Sequence, residues 1–250
     1  MVDNRAVLRE LLALWEKQLI FDQITVAADI PPAVPVAVRG LTAHAVDCAR
    51  GVLTLYEASQ PIAALPLVRC VLEDAVTAQW LIAQPNGWKT FISDGATQQM
   101  KALREIIQGN PADELSSARL SDLRKLVDEI GTPSGYTIQQ RVQSLEGTDK
   151  MYLIYRVASA LTHAGSGIVD VYSVSDSNSE LGVAFVPYAK HPTASAWLGI
   201  AASSLTHALL AWNSLVLVGS ETEAVTRIAA RLGVRESPAG LRSERAASSS

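Results

Sequence analysis

The chain has 250 residues, with 21 basic and 25 acidic side chains and a formal net charge of −4. Hydrophobic residues make up 48% and charged residues 18%, which excludes a disordered chain and calls for a large core. The acidic balance excludes a broad nonspecific nucleic-acid surface and makes DNA an unexpected partner, while leaving room for a small basic cleft.

The first segment, Asp3 to Asp22, reads as an amphipathic helix with Val7, Leu8, Leu11, Leu12, Trp15 and Leu19 on one face, a candidate dimer surface. Its early charges, Asp3, Arg5, Arg9 and Glu10, leave no apolar stretch of the secretory kind, so a cytoplasmic location is expected. Pro31-Pro32 and Pro35 mark a connector to a second helix, Val36 to Ser59, weakened by Gly40 and Gly51. Leu65 to Ala83 is a strongly apolar third helix with Pro66 in its first turn. A fourth, capped by Asn86, reaches Gln108. Asn110 and Pro111 then suit N-cap and N1 of a fifth helix ending at Gly131. A short helix from Thr137 to Leu145 precedes one from Thr148-Asp149 to a stop at Gly165.

Strand signals are confined to the next stretch. Ile168 to Val174 alternates in part, Ser175 to Glu180 is turn-rich and Leu181 to Val186 is apolar, giving a β-hairpin or an ordered loop. Pro192 opens a helix in which, from Ala194 to Gly219, His207 is the sole ionisable side chain. That stretch is long enough to span a bilayer, but polar interruptions and the lack of flanking Lys or Arg clusters favour a buried core helix, so a membrane role is not expected. Ser220 and Glu223 form a capping box for a last helix ending near Leu232. The expectation is an all-α, multi-helix bundle with a small insertion near 168–186. One helical domain spans 1–232, and a disordered tail spans 233–250.

Two polar stripes interrupt the apolar helices. Tyr152, Arg156, Ser159 and His163 recur at i, i+4, i+7 and i+11, so on one continuous helix Arg156 and His163 share a face about 10 Å apart. On the third helix, Arg69 and Glu73 stand at i and i+4, with Thr77 one turn further. Charges in such surroundings require partners. Either Arg69–Glu73 is a structural ion pair fixing helix register, or Glu73 orients Arg156 or His163 across a helix interface.

Other candidates are thinner. His44, Asp47 and Cys48 share one helix, but no second cluster completes a metal site. Cys48 and Cys70 lack ligand spacing and read as reduced core residues, so neither a metal nor a cofactor is expected. His207 behind Ser203 and Ser204 reads as a packing histidine satisfying carbonyls in a tight interface. No phosphate-binding glycine loop or hydrolase motif is present in the sequence.

The pair Arg156-x6-His163, late in an apolar helix, resembles the Arg-x(4–6)-His motif of the HEPN superfamily. With Arg69-x3-Glu73 and the flanking Tyr155 and Ser159, it also resembles uncharacterised bacterial helical proteins of unknown function. The likeness covers roughly residues 60–165. It implies an all-helical, often dimeric domain and a metal-independent ribonuclease of a defence or toxin system. Arg156 and His163 would be its catalytic residues, with Tyr152, Tyr155, Ser159, Arg69 and Glu73 in support. The resemblance thus implies RNA as a partner and a homodimer. The competing expectation is a noncatalytic interaction or small-ligand-binding module whose Arg/Glu/His cluster is structural.

Overall fold

Helix-starting and helix-stopping residues partition the chain. The computed structural model describes residues 2–18, 25–26, 29–131, 135–189, 193–217 and 221–241. Among them are ten helices and one small hairpin: α1 Asn4–Gln18, α2 Ala33–Glu57, α3 Leu65–Ala83, α4 Gly87–Gly109, α5 Glu114–Ile130, α6 Ile138–Ser144, α7 Asp149–Ala160, α8 Ser166–Val171, β1 Ser173–Ser175, β2 Val183–Phe185, α9 Ala194–Asn213 and α10 Thr222–Leu232. The all-α bundle with a small hairpin is therefore the architecture of this chain.

Local chemistry explains most boundaries. Pro66 sits in the first turn of α3, where its missing N–H costs nothing. Thr137 and Gln140 cap α6 reciprocally. The start of α5 departs from expectation. Asp113, not Asn110, is its cap, because the carboxylate accepts both the backbone N–H of Ser116 at 3.0 Å and its hydroxyl at 2.9 Å. Ser220 and the end of the first predicted helix, 19–22, lie outside the described residues.

The largest departure concerns α7, which stops at Ala160 rather than Gly165. Its final turn closes on itself: the Thr162 and His163 N–H groups and the Thr162 hydroxyl all donate to the Ser159 carbonyl. A residue whose carbonyl collects the next donors ends the i→i−4 ladder there. Gly165 then precedes the short helix α8, not a loop, and the strand expected from Ile168 shrinks to β1. Ile168 and Val171 lie three apart, and helical spacing lets both pack inward on the core. β1 and β2 pair antiparallel, with Ser173 opposite Phe185.

The core forms where α2, α3 and α9 pack on one another. Helix α9 supplies Ala201, Ala202, Leu205, Ala208, Leu209 and Ala211, all fully buried, which accounts for its lack of charge. Among the described helices it is the one long and apolar enough to cross a membrane, and 67% of its 18-residue apolar stretch is buried inside the protein. Gly51 admits α3 closely: a Cβ there would lie 2.6 Å from the Leu67 Cδ1. The apolar face of α1 is not free for a partner, because Val7, Leu8, Leu11 and Trp15 are buried against α9 and α2. A separate cluster of Ala96, Met100, Leu120, Leu123 and Val127 joins α4 to α5.

One polar seam crosses this core. The Gln18 amide donates to Asn213 Oδ1 at 2.9 Å, and the Trp212 indole donates to Gln18 Oε1 at 3.0 Å. The Arg39 guanidinium lies 3.8 Å from the Trp15 ring centroid and 5.3 Å from that of Trp212. The segment after α10, expected to be tail, is anchored by the Ala239 N–H donating to Gln79 Oε1 at 2.9 Å, and Leu241 bridges to Leu145.

Candidate functional site

The two polar stripes meet, but not as a straight helix predicts. Because α7 ends at Ala160, His163 leaves the helical face and turns back onto α3. There Arg69 is the hub. Its Nη1 lies 3.0 Å from His163 Nε2, its Nε donates to Glu73 Oε1 at 2.9 Å and its Nη2 donates to the Tyr155 hydroxyl at 3.2 Å. A guanidinium only donates, so the imidazole facing it accepts at Nε2 and carries its proton on Nδ1. Tyr155 also places its ring centroid 5.0 Å from Arg69 Cζ, and Tyr152 stacks on Tyr155 at 6.1 Å.

Electrostatics reinforce this hub. Burial works against charge on Arg69, but the Glu73 carboxylate and the Tyr155 hydroxyl outweigh it and raise its pKa. The guanidinium is therefore a fixed positive charge. Its side chain is 24% exposed and that of Glu73 34%, while His163 is exposed. Solvent reaches the cluster. Arg69 and Glu73 do form the intrahelical ion pair that their i,i+4 spacing allows, with both side chains partly exposed.

The remaining site candidates divide. Arg156 lies on α7, exposed, with no hydrogen-bond or ion-pair partner among the described residues, and does not join His163. Leu153 and Val157 flank it, both exposed apolar residues. Ser159 turns its hydroxyl inward, where it is buried without a partner among the described residues, and contributes instead the carbonyl that holds the His163 turn. Thr77 does not extend the Arg69–Glu73 stripe. It is buried, and its hydroxyl accepts from Arg141 Nη1 at 3.0 Å.

Arg141 itself is a group the sequence did not single out. It lies 5.1 Å from the Trp80 ring centroid, with its Nη2 3.8 Å from Asp94 Oδ2. Burial lowers its pKa, an effect that Asp94 and Glu73 oppose.

Asp74 is another. His44 Nδ1 lies 2.7 Å from its Oδ2, and His44 Nε2 lies 3.6 Å from Cys48 Sγ. The order Cys–His–Asp has the outline of a nucleophile and its base, yet the thiol chemistry opposes it. Burial and the neighbouring Cys70 push Cys48 up to about 12, so the thiolate is scarce. Burial likewise lifts Asp74 to about 6. Among the described residues no group of three or more His, Cys, Asp or Glu is arranged to hold a metal ion.

An all-helical chain presenting an open Arg–Glu–Tyr–His cluster defines a structural class without fixing an activity. Residues 36–180 match the model of a family of unknown function, DUF5677, and the chain belongs to that family. The matched span runs from α2 through β1 and contains every member of the cluster. No curated protein and no solved structure matches the chain.

Proposed function

We propose that the protein is a HEPN-like, RNA-acting protein that cleaves RNA without a metal, as part of a bacterial defence or toxin system, and that Arg69 and His163 carry the reaction. The supporting observation is the 3.0 Å contact between Arg69 Nη1 and His163 Nε2 at an exposed site. An RNA phosphate draws the guanidinium into a charge-assisted contact and releases His163 Nε2. The freed nitrogen takes the proton of the ribose 2′-hydroxyl as its oxygen attacks phosphorus. The bond from phosphorus to the 5′-oxygen breaks, water protonates the leaving oxygen while the resulting hydroxide takes the proton held by His163, and the products are a 2′,3′-cyclic phosphate and a 5′-hydroxyl. Arg69, held by Glu73 and Tyr155, stabilises the charge that develops on the phosphoryl oxygens. Tyr152 and Tyr155 offer a stacked pair of rings for a base.

Arg156 fits this scheme through a second copy of the chain. Exposed Leu153 and Val157 border it on α7, and Val169, Tyr172 and Val174 are further exposed apolar residues in the segment that follows. A homodimer closed over that surface brings Arg156 of each copy to the rim of a shared cleft, where it binds the RNA backbone.

The test is incubation of the purified protein with RNA in excess chelator. Wild type is expected to give 2′,3′-cyclic phosphate ends, and His163→Ala and Arg69→Ala to lose that activity. Cleavage retained in either variant eliminates the mechanism. Variants that melt at lower temperature around an inactive wild type instead assign the cluster to packing.

A further inference from the structure

We infer that the protein has a second, separate binding site: the cavity between α3, α7, α9 and the segment after α10 takes a small organic anion with an apolar body. The cavity measures about 610 Å³, within the range of small-molecule sites. His207 of α9 lines it, is 8% exposed, and leaves its Nδ1 buried without a hydrogen-bond partner among the described residues.

Two neighbouring polar side chains, Gln79 and Thr148, are already committed. Gln79 Nε2 donates to the His207 carbonyl at 3.2 Å, and Gln79 Oε1 accepts from the Ala239 N–H. The Thr148 hydroxyl donates to the Val142 and Leu145 carbonyls. Protein interiors rarely leave such an atom unpaired, and this one belongs to a residue that lines the cavity. Burial, assisted by the Arg235 charge, lowers the His207 pKa to about 4, so the imidazole is neutral and offers one donor and one acceptor.

Charge in the lining sets the ligand class. Arg235 and Lys150 line the cavity together with Glu146, an excess of one positive charge. Arg235 is half-buried and has no acidic partner among the described residues. Its Nη2 occupies the space beside Gly147, 2.9 Å from where a Cβ would stand, and Gly147 has a φ of +71°. A glycine there is what lets the guanidinium lie against the backbone. Leu72, Met151, Ile154 and Ile200 supply the apolar wall. A carboxylate or sulfonate at Arg235, a hydrophobic body on that wall and a donor to His207 satisfy all three.

Two dyes with one skeleton test this: 8-anilinonaphthalene-1-sulfonate and its sulfonate-free counterpart N-phenyl-1-naphthylamine. Fluorescence titration is expected to show one sulfonate-dye site per chain. Its affinity should exceed that of the neutral dye by roughly tenfold or more, the worth of one charge-assisted contact. Arg235→Gln should erase the preference while the neutral dye still binds. In the NMR spectrum of the wild-type protein, the His207 imidazole signals should shift on binding and those of His44 and His163 should not. Ser203→Trp, which fills the cavity, should abolish binding. Equal affinity for the two dyes, an unresponsive His207, or undiminished binding by a folded Ser203→Trp protein would each overturn the assignment.

Discussion

Two histidines face opposite environments in this chain. His163 follows the last turn of α7, exposed, and shares Arg69 with Glu73 and Tyr155. His207 lies within α9, where burial lowers its pKa to about 4 and its Nδ1 has no partner among the described residues. The first has access to water, a fixed cation beside it and no structural duty in the core. The second is locked among packed helices and contributes its carbonyl to a buried amide contact. An open group beside a permanent charge is suited to reversible proton transfer, whereas a buried neutral one is suited to recognition and to stability.

The sharpest way to break this contrast is to compare activity with stability in paired variants. His163→Ala is expected to lower metal-free RNA cleavage by about 10²–10⁴-fold, the usual contribution of a general acid–base group. Its unfolding free energy should stay within about 0.5 kcal/mol of wild type, because the side chain is exposed. Leu209→Ala, at a fully buried α9 position near His207, should do the opposite and cost about 2–5 kcal/mol in denaturant unfolding. If His163→Ala unfolds the protein instead, the contrast between the two regions collapses.

Acid titration of stability is the next largest effect. The folded-state pKa of His207 is depressed from 6.5 to about 4, so its contribution is present above pH 6.5 and is lost as pH falls toward 4, about 3 kcal/mol in all. Asp74 acts in the other direction. Its pKa is raised from 3.8 to about 6, so its contribution is present below pH 3.8 and is lost as pH rises toward 6. The two offset each other, and the wild-type profile between pH 4 and 6.5 should be shallow. Asp74→Asn should expose stability that falls with acid, and His207→Asn stability that rises with it. Chemical denaturation across that range reads both slopes, and slopes of the same sign in the two variants contradict the assignment.

Smaller effects should appear at the surface. Arg156→Ala should leave stability unchanged and weaken RNA binding, reducing the salt dependence of affinity by roughly 0.7 in log–log slope for a single-stranded ligand. Breaking the exposed Arg9–Glu57 pair, 2.5 Å apart, should cost no more than about 1 kcal/mol and leave cleavage untouched. A large effect there would mean that surface charge, rather than the Arg69 hub, governs behaviour.

Much of the fold was legible because it rests on local signals. Pro66 marks the start of α3, Thr137 with Gln140 caps α6, and the missing charges of α9 identify the central helix. The site was legible only in part. Arg69, Glu73, Tyr155 and His163 stand out as polar residues on apolar helices, yet their true grouping depends on where α7 ends. That end is set by three donors converging on the Ser159 carbonyl, and no capping residue announces it. With the helix extended to Gly165, Arg156 pairs with His163. With its actual end at Ala160, Arg69 takes that place. Asp74 and Arg141 were invisible for another reason: their partners, His44 and Thr77, are 30 and 64 residues away and meet only through packing.

The Arg69–His163 unit is tested most directly by metal-free cleavage of an oligodeoxynucleotide carrying a single ribonucleotide. Wild type should cut only on the 3′ side of that ribonucleotide and leave a 2′,3′-cyclic phosphate, and both Arg69→Ala and His163→Ala should abolish the cut. Cleavage at deoxynucleotide positions, or a cut that persists in either variant, would contradict the account.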